Sequence, residues 1–406
     1  MSDYRETRSL KEDKRRQAAA RADSREKRRQ ASLRRLARGA AALAVLAAVV
    51  VAGWAGLGPV RLSGLVDFTQ TLGRRGKGFP LESGGNVLQA ALVGGSLAML
   101  RPTKLEVYTS TAYQSLSARQ TYADPALRAG SGRLAQFDRA AGKVSLLSKT
   151  GLLFEAELPG ALFCVGLGRR GDLAAACGAE GAASEITAWD TKGAQVFNWR
   201  CEKEYPSALQ PNKNGSGLGL CLIGMEQAGA YARFVEFAYD KAQPLTDLRV
   251  QDAWLYGASQ RNGCWLAVGD QAVYLMKRGA QAPEALSYEG RALQAFALDE
   301  AGYCAVLLED WDNRALLRVY NSRGELAAEQ GFARRPLELS CRGGSVYLRF
   351  DNFLLRWQKT TGLRQCDAIP PGAQSVFPTG GAAYIITVRS VERVRLRWGA
   401  ADKGLF

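Results

Sequence analysis

The feature that most constrains this chain is an internal repeat that begins near residue 95. Each copy has a glycine in a tight-turn context, an apolar stretch, a second turn and another apolar stretch, as in Gly302–Leu307 followed by Leu316–Tyr320. The marker glycines lie 37 to 46 residues apart, and they are Gly95, Gly132, Gly171, Gly217, Gly263, Gly302, Gly344 and Gly381. A recurring period of about 41 residues indicates eight copies of one supersecondary unit.

The pattern inside each copy is that of β-strands. Val394–Trp398 alternates apolar and charged residues, which is the period of a strand, and no long helical period interrupts the copies. A strand-like stretch such as Ala161–Val165 precedes each glycine, and another such as Ala194–Trp199 ends the copy. Four strands in 40 to 50 residues are typical of a propeller blade. We therefore predict an all-β fold, a β-propeller of eight four-stranded blades, with seven blades as the alternative.

The last copy is too short to complete its own blade. After Trp398 only eight residues remain, and they offer no fourth strand. The segment 76–82 comes directly before the first copy and can supply the missing strand. We therefore predict that residues 76–406 form the propeller and that the strand in 76–82 closes the ring, since a closed ring leaves no open sheet edge.

A second constraint lies at the N-terminus, where residues 39–58 carry no charge. Twenty apolar residues in a helix span about 30 Å, the thickness of a membrane core. The segment fits a buried helix of a soluble domain less well, because it has no polar stripe. It also fits a cleaved signal peptide less well, because the apolar run is too long. We predict a transmembrane helix at 39–58, between a basic tail at 1–38 and a juxtamembrane linker at 59–75.

Charge sets the orientation of this predicted helix. The tail has 14 basic and six acidic residues, and the basic residues nearest the helix are Arg28, Arg29, Arg34, Arg35 and Arg38. By the positive-inside rule the N-terminus is cytoplasmic and the C-terminal domain extracellular, in a single-pass protein of the cell membrane. The predicted partner of the tail is anionic lipid of the inner leaflet. Nucleic-acid binding is not favoured, because no aromatic residues are interleaved to stack on bases.

The reactive residues offer little chemistry. The chain has no histidine, which excludes Ser-His-Asp and Cys-His nucleophiles and every histidine metal site. None of the eight cysteines forms a CxxC pair, and most lie in short apolar stretches that are typical of β-strands. Cys164 and Cys177 flank one hairpin, so a symmetric register predicts a candidate disulfide between them. The acidic run Glu309–Asn313 is interpreted as a turn. We predict no catalytic residues, no metal and no cofactor.

A resemblance follows from the order of these segments. A basic tail, one span, the stretch Gly76–Pro80 and propeller-like repeats resemble single-pass proteins of clostridial-type Gram-positive bacteria that have an extracytoplasmic domain of unknown function. The resemblance implies a location in the cell envelope and a propeller-like fold, and it brings no functional residues. More distantly the repeats resemble WD-type propellers, and Trp189-Asp190 is the one Trp-Asp pair that ends a copy. They also resemble quinoprotein-type propellers, but the tryptophan signature of that class is not found in the repeats.

These observations favour a function in binding. We predict a non-enzymatic binding or scaffolding module of the cell envelope, with a protein or an envelope polymer as its ligand. Two alternatives remain open. One is a propeller enzyme that acts on envelope glycan through Asp/Glu catalysis, and the other is a ligand sensor that needs a cytoplasmic partner.

Overall fold

The computed structural model describes residues 66–83, 86–130, 132–261, 263–299, 302–402 and 404, apart from residue 68. The basic tail 1–38, with its five topology-setting arginines, and the predicted span 39–58 lie outside these residues. In the described part of the chain, no helix has the length and apolar character needed to cross a membrane. The predicted anchor and its orientation therefore stay predictions.

The described chain is almost entirely β-structure. The first half contains β1 (Leu81–Glu82), β2 (Gln89–Val93), β3 (Ser96–Leu100), β4 (Lys104–Tyr108), β5 (Gln114–Arg119), β6 (Pro125–Ala129), β7 (Leu134–Asp138), β8 (Lys143–Leu147), β9 (Leu152–Glu157), β10 (Leu162–Leu167), β11 (Leu173–Ala179), β12 (Ala182–Trp189), β13 (Gln195–Cys201), β14 (Tyr205–Pro211), β15 (Gly217–Glu226), β16 (Gly229–Ala238) and β17 (Thr246–Gln251). The second half contains β18 (Leu255–Arg261), β19 (Cys264–Gly269), β20 (Ala272–Lys277), β21 (Glu284–Ser287), β22 (Leu293–Leu298), β23 (Cys304–Asp310), a 3₁₀ turn (Trp311–Asn313), β24 (Arg314–Tyr320), β25 (Leu326–Phe332), β26 (Glu338–Arg342), β27 (Ser345–Arg349), β28 (Leu354–Gln358), β29 (Gly362–Cys366), β30 (Ser375–Thr379), β31 (Ala382–Ile386), β32 (Ser390–Arg395) and β33 (Gly399–Ala400).

These strands form eight antiparallel sheets, which confirms the predicted propeller of eight four-stranded blades. Blades 1 to 7 each take four consecutive strands, from β2–β5 in blade 1 to β26–β29 in blade 7. Blade 8 consists of β30, β31, β32 and β1. The short β33 adds a fifth strand to blade 7, where Gly399 pairs with Gln365. In each blade the first strand in chain order, β30 in blade 8, is called here the inner strand.

The core consists of eight apolar clusters, each shared by two neighbouring blades. In blade 3, Ala174 and Ala176 pack with blade 4, whereas Leu173, Ala175 and Cys177 pack with blade 2. Alternate residues of a strand point to opposite faces of its sheet, so each blade is buried on both faces. This explains why strands such as β3 and β27 are buried along their whole length rather than at every second residue.

The ring closes between blades 8 and 1. Leu81 and Glu82 of β1 pair with Val391 and Ser390 of β32, so an early strand of the chain forms the outer edge of the last blade. The Tyr384 hydroxyl donates to the backbone oxygen of Gly95 in blade 1 at 2.9 Å. A shared apolar cluster that includes Leu97, Met99 and Ile386 fills the same interface.

Most marker glycines have a backbone conformation that other residues rarely adopt. Six of them have φ between +77° and +93°, and these are Gly95, Gly132, Gly171, Gly263, Gly302 and Gly344. They lie in the turn between the first two strands of their blades, where a positive φ favours glycine. Gly217 differs, because it begins β15 and a Cβ there would collide with the backbone oxygen of Phe237. In the last blade the positive φ belongs to Gly380, next to Gly381.

Removal of the closing strand should open the ring. A chain that begins at Ser83 lacks β1, so β32 presents unpaired backbone groups that other chains can pair with. We expect this chain to aggregate or to lose its cooperative thermal unfolding, measured by size-exclusion chromatography and circular dichroism. The matched control begins at Phe79 and keeps β1, and we expect it to stay monodisperse. Equal behaviour of the two chains would mean that closure does not depend on β1.

Candidate functional site: the central channel

The inner strands surround a channel of about 1100 Å³. Inner strands of blades 1 to 7 line it, and neighbouring inner strands such as β10 and β14 lie against each other. One end of the channel lies at the turns between the first and second strands, and it is called here the glycine end. The opposite end, where the inner strands begin, is called the aromatic end. The volume is ample for a small ligand or for a segment of a larger one.

The inner strands of blades 3 to 6 share a feature that the other four lack. Each has a β-bulge near its start, where one residue has no partner on the second strand, whereas the described inner strands of blades 1, 2, 7 and 8 pair without interruption. The extra residues are Phe163, Ser207, Tyr256 and Gln294. Because a bulge re-aims side chains and is common next to functional sites, one half of the ring is built differently from the other.

Aromatic side chains gather at the bulged half of the ring. Phe163 contacts Tyr205 edge-on with ring centres 5.8 Å apart, and Tyr256 stacks on Phe296 at 6.5 Å. Phe163, Tyr205, Tyr256 and the nearby Trp254 are each about half exposed. Rigid aromatic side chains bury much area at little entropic cost, so this cluster has the composition of a binding surface.

The observed hairpin register corrects the predicted disulfide. The turn pairs Leu167 with Leu173, so Cys164 lies opposite Ala176, and beyond the bulge at Phe163 Cys177 lies opposite Leu162. Cys164 packs against the cluster shared with blade 4, whereas Cys177 packs in the cluster shared with blade 2. Both thiols are free, and burial raises the pKa of Cys164 to about 12, so its reactive thiolate does not form near neutral pH. The symmetric register predicted from sequence is wrong by one residue.

The channel lining has a net positive charge at the glycine end. Arg128 of β6 and Arg342 of β26 line it, together with Arg169 and Lys213 in the adjoining turns. Asp299 is the one carboxylate among the described lining residues. Its oxygens accept hydrogen bonds from the backbone amides of Gly343 at 3.2 Å and Gly344 at 2.6 Å, so its charge is already engaged.

Asp172, in the turn of blade 3, is a buried carboxylate without a partner. Its side chain is 4% exposed, and neither carboxylate oxygen has a hydrogen-bond partner among the described residues. Burial raises the pKa of Asp172 from 3.8 to about 6. The hydroxyl of Tyr239 is likewise buried and unpaired. Burial raises the pKa of Tyr239, and the charge of Asp172 raises it further.

The structure places the acidic run Glu309–Asn313 in a turn. Trp311–Asn313 is the 3₁₀ turn between β23 and β24, and Asp312 adopts φ 59°, a conformation that Asp tolerates in turns. Trp311 is 82% exposed there. Across the described ranges, no group of three Cys, Asp or Glu residues is arranged to hold a metal ion.

Sequence reasoning missed the channel arginines. The stretch Pro125–Ala129 gives Arg128 an apolar context, and an isolated charge inside an inner strand is the signal that could have identified it. The aromatic end was also missed, because the bulges that define it have no mark in the sequence. Seven of the eight marker glycines, by contrast, lie at the turns where the pattern predicted them, and Gly217 instead begins β15.

Solved structures with this fold have little sequence in common with the chain. The computationally designed protein Ika8 is similar with a TM-score of 0.54 at 12% identity, over 76% of this chain and 96% of that chain. The C-terminal WD40 domain of Sif2 has a TM-score of 0.53 at 11% identity, over 79% and 97%. A eukaryotic initiation factor has a TM-score of 0.50 at 11% identity, over 78% and 89%. No protein-family model and no characterised protein matches the sequence, so these likenesses show the fold alone.

Asp172 predicts a pH-dependent stability. Folding raises the pKa of this carboxyl group, so the folded state binds its proton more tightly than the unfolded state does. The resulting stabilisation is fully present below the unfolded pKa near 4 and is lost as the pH rises through about 6. Asp172→Asn removes the buried charge, so we expect it to raise the free energy of unfolding by up to about 3 kcal/mol at pH 7.5, and by much less at pH 4. Urea unfolding at both pH values measures this.

The matched control is Asp240→Asn, because Asp240 is exposed in a turn of blade 4. We expect no pH-dependent difference between this variant and the wild type. A destabilising Asp172→Asn at pH 7.5, or the same effect at both pH values, would contradict the assignment of a buried, unpaired charge.

Proposed function

We propose that the chain is a membrane-anchored binding or scaffolding module whose propeller binds a protein or an envelope polymer at its central channel. The observation that carries the proposal is the aromatic end, where four neighbouring blades have bulged inner strands and three of them, blades 3 to 5, have half-exposed aromatic side chains. Exposed aromatic residues on a rigid scaffold are the usual anchors of binding surfaces.

The anchoring part of the proposal rests on the uncharged segment 39–58 and the basic residues before it. The resemblance to single-pass proteins of clostridial-type bacteria supports the same location. With the N-terminus in the cytoplasm, the propeller would be exposed to the cell envelope, where proteins and wall polymers are the available ligands.

Catalysis on envelope glycan is less well supported than binding. A glycosidase needs two carboxyl groups on either side of the scissile bond, about 5 to 10 Å apart. Among the described residues that line the channel, only Asp299 has a carboxylate, and its oxygens accept hydrogen bonds from two backbone amides. The channel therefore offers cations and aromatic rings to a ligand and lacks such a pair in the described lining.

Topology is tested in intact cells that produce the full chain. We expect added protease to cleave the propeller while a cytoplasmic marker protein stays intact. Replacement of Arg28, Arg29, Arg34, Arg35 and Arg38 by glutamine removes the charge that sets orientation, so we expect partial or full protection of the propeller in that variant. A wild-type propeller that is cleaved only after lysis would contradict the predicted orientation.

Binding is tested with the full chain in neutral detergent and isolated bacterial cell-envelope material. We expect sedimentation with the envelope to fall at least about tenfold in a Tyr205→Ala, Tyr256→Ala double variant, because two anchors are lost. The control is Trp311→Ala, since Trp311 is more exposed but lies in the turn between β23 and β24, apart from the aromatic cluster. Turnover of glycan, peptide or redox dye that disappears in Asp299→Asn would overturn the proposal in favour of an enzyme.

A further inference from the structure

We propose that the glycine end of the channel is an anion-binding site, centred on Arg128, for a compact phosphate or carboxylate group. This inference rests on the proposed binding function and gives the chemical class of the ligand. It adds a site at the end of the channel opposite the aromatic cluster.

Arg128 differs from the buried arginines of the blades in having no partner. It lies on the inner strand β6, two residues before the turn, and its side chain is accessible from the channel. No ion pair or hydrogen bond joins its guanidinium to the described residues. Buried arginines elsewhere are paired, as in Arg101 with Glu106 at 2.7 Å and Arg318 with Glu329 at 2.6 Å. A guanidinium has five donors in a planar fork that matches phosphate and carboxylate oxygens.

The channel walls partly desolvate the charge of Arg128. The side chain is exposed to the channel, and desolvation by the surrounding walls lowers the pKa of Arg128. The channel walls nearby include the apolar side chains of Leu92, Leu167 and Leu298. In such a setting the attraction between opposite charges is stronger than in water, so a bound anion offsets the lost hydration.

More cations lie at the same end of the channel. Arg342 of blade 7 lines it, and the Lys149 ammonium donates to the backbone oxygen of Gly94 at 2.8 Å. Burial lowers the pKa of Lys149, the charge of Asp67 raises it, and the charges of Arg133 and Arg342 lower it further. These cations therefore lie within electrostatic reach of one another, and a shared anion would relieve their repulsion.

Two acidic residues of this end, Asp67 and Asp299, already have hydrogen-bond partners, whereas Asp172 in the turn of blade 3 has none among the described residues. Asp67 accepts a hydrogen bond from the Thr150 hydroxyl at 2.7 Å and lies 3.6 Å from Arg133. Asp299 binds the amides of Gly343 and Gly344. Neither carboxylate forms an ion pair with Arg128 or Arg342. The described lining has four cations, Arg128, Arg169, Lys213 and Arg342, against the single carboxylate of Asp299, so its net field attracts anions.

The test measures pyrophosphate binding to the full chain in neutral detergent, by isothermal titration calorimetry at low salt. We expect Arg128→Gln to weaken binding about 10- to 100-fold, as the loss of charge-assisted hydrogen bonds predicts. Arg342→Gln should weaken it several-fold and serves as a second variant. The control is Arg323→Gln, because Arg323 is exposed in a turn at the same end of blade 6 and does not line the channel.

A second probe distinguishes the source of the anion. Dihexanoyl phosphatidylglycerol, used below its micelle-forming concentration, presents a lipid phosphate without a membrane. Binding of either probe that depends on Arg128 supports the site, and the probe that binds better identifies a free or a lipid phosphate as the source. Three outcomes would overturn the inference: neither probe binds, Arg128→Gln binds as well as the wild type, or Arg128→Gln and Arg323→Gln lose the same affinity.

Two further readouts separate this inference from other failures. Arg128→Gln removes an unpaired charge, so its unfolding temperature without ligand should be at least that of the wild type, and a lower value would contradict the absence of a partner. Envelope sedimentation is measured in parallel. A wild type that sediments with envelope but binds neither probe refutes the anion site alone, whereas one that binds a probe but not envelope refutes the proposed function alone.

Discussion

The structure depends on the packing of each blade against both of its neighbours. A four-stranded sheet of this length cannot bury its apolar residues alone, and here both faces of every blade are apolar. Eight sheets therefore need eight interfaces, and this number is reached only if the last blade also packs against the first. The cluster shared by blades 8 and 1 supplies that interface, and the pairing of β1 with β32 closes the outer edge.

Ring closure also creates the channel. The inner strands surround the channel, and no further sheet covers the side chains that they expose to it. Polar and aromatic residues can therefore lie at these positions without loss of core packing. Arg128 and the bulged residues Phe163 and Tyr256 occupy this position. The apolar interfaces around the ring provide the stability that offsets groups such as the unpaired carboxylate of Asp172.

The two ends of the channel have different chemistry. One presents aromatic rings from blades 3 to 6, and the other presents four cations against one carboxylate in the described lining. A ligand with an anionic group and an apolar body matches both ends, because each end contributes the interaction that the other lacks. Such a division favours recognition of one orientation of a ligand over the reverse.

The sequence by itself determined the architecture, because the glycine period and the alternation inside each copy are local signals. Turn glycines such as Gly171 need a positive φ wherever the blade lies, and the missing fourth strand of the last copy pointed to the segment that contains β1. Only the tertiary structure decided the register of the inner strands and the side chains that meet across the channel. The turn register places Cys164 opposite Ala176 rather than Cys177, and Arg128 and Arg342 line the same channel from positions more than 200 residues apart. Such meetings depend on how the ring closes and on single-residue register shifts, and neither has a local signature in the chain.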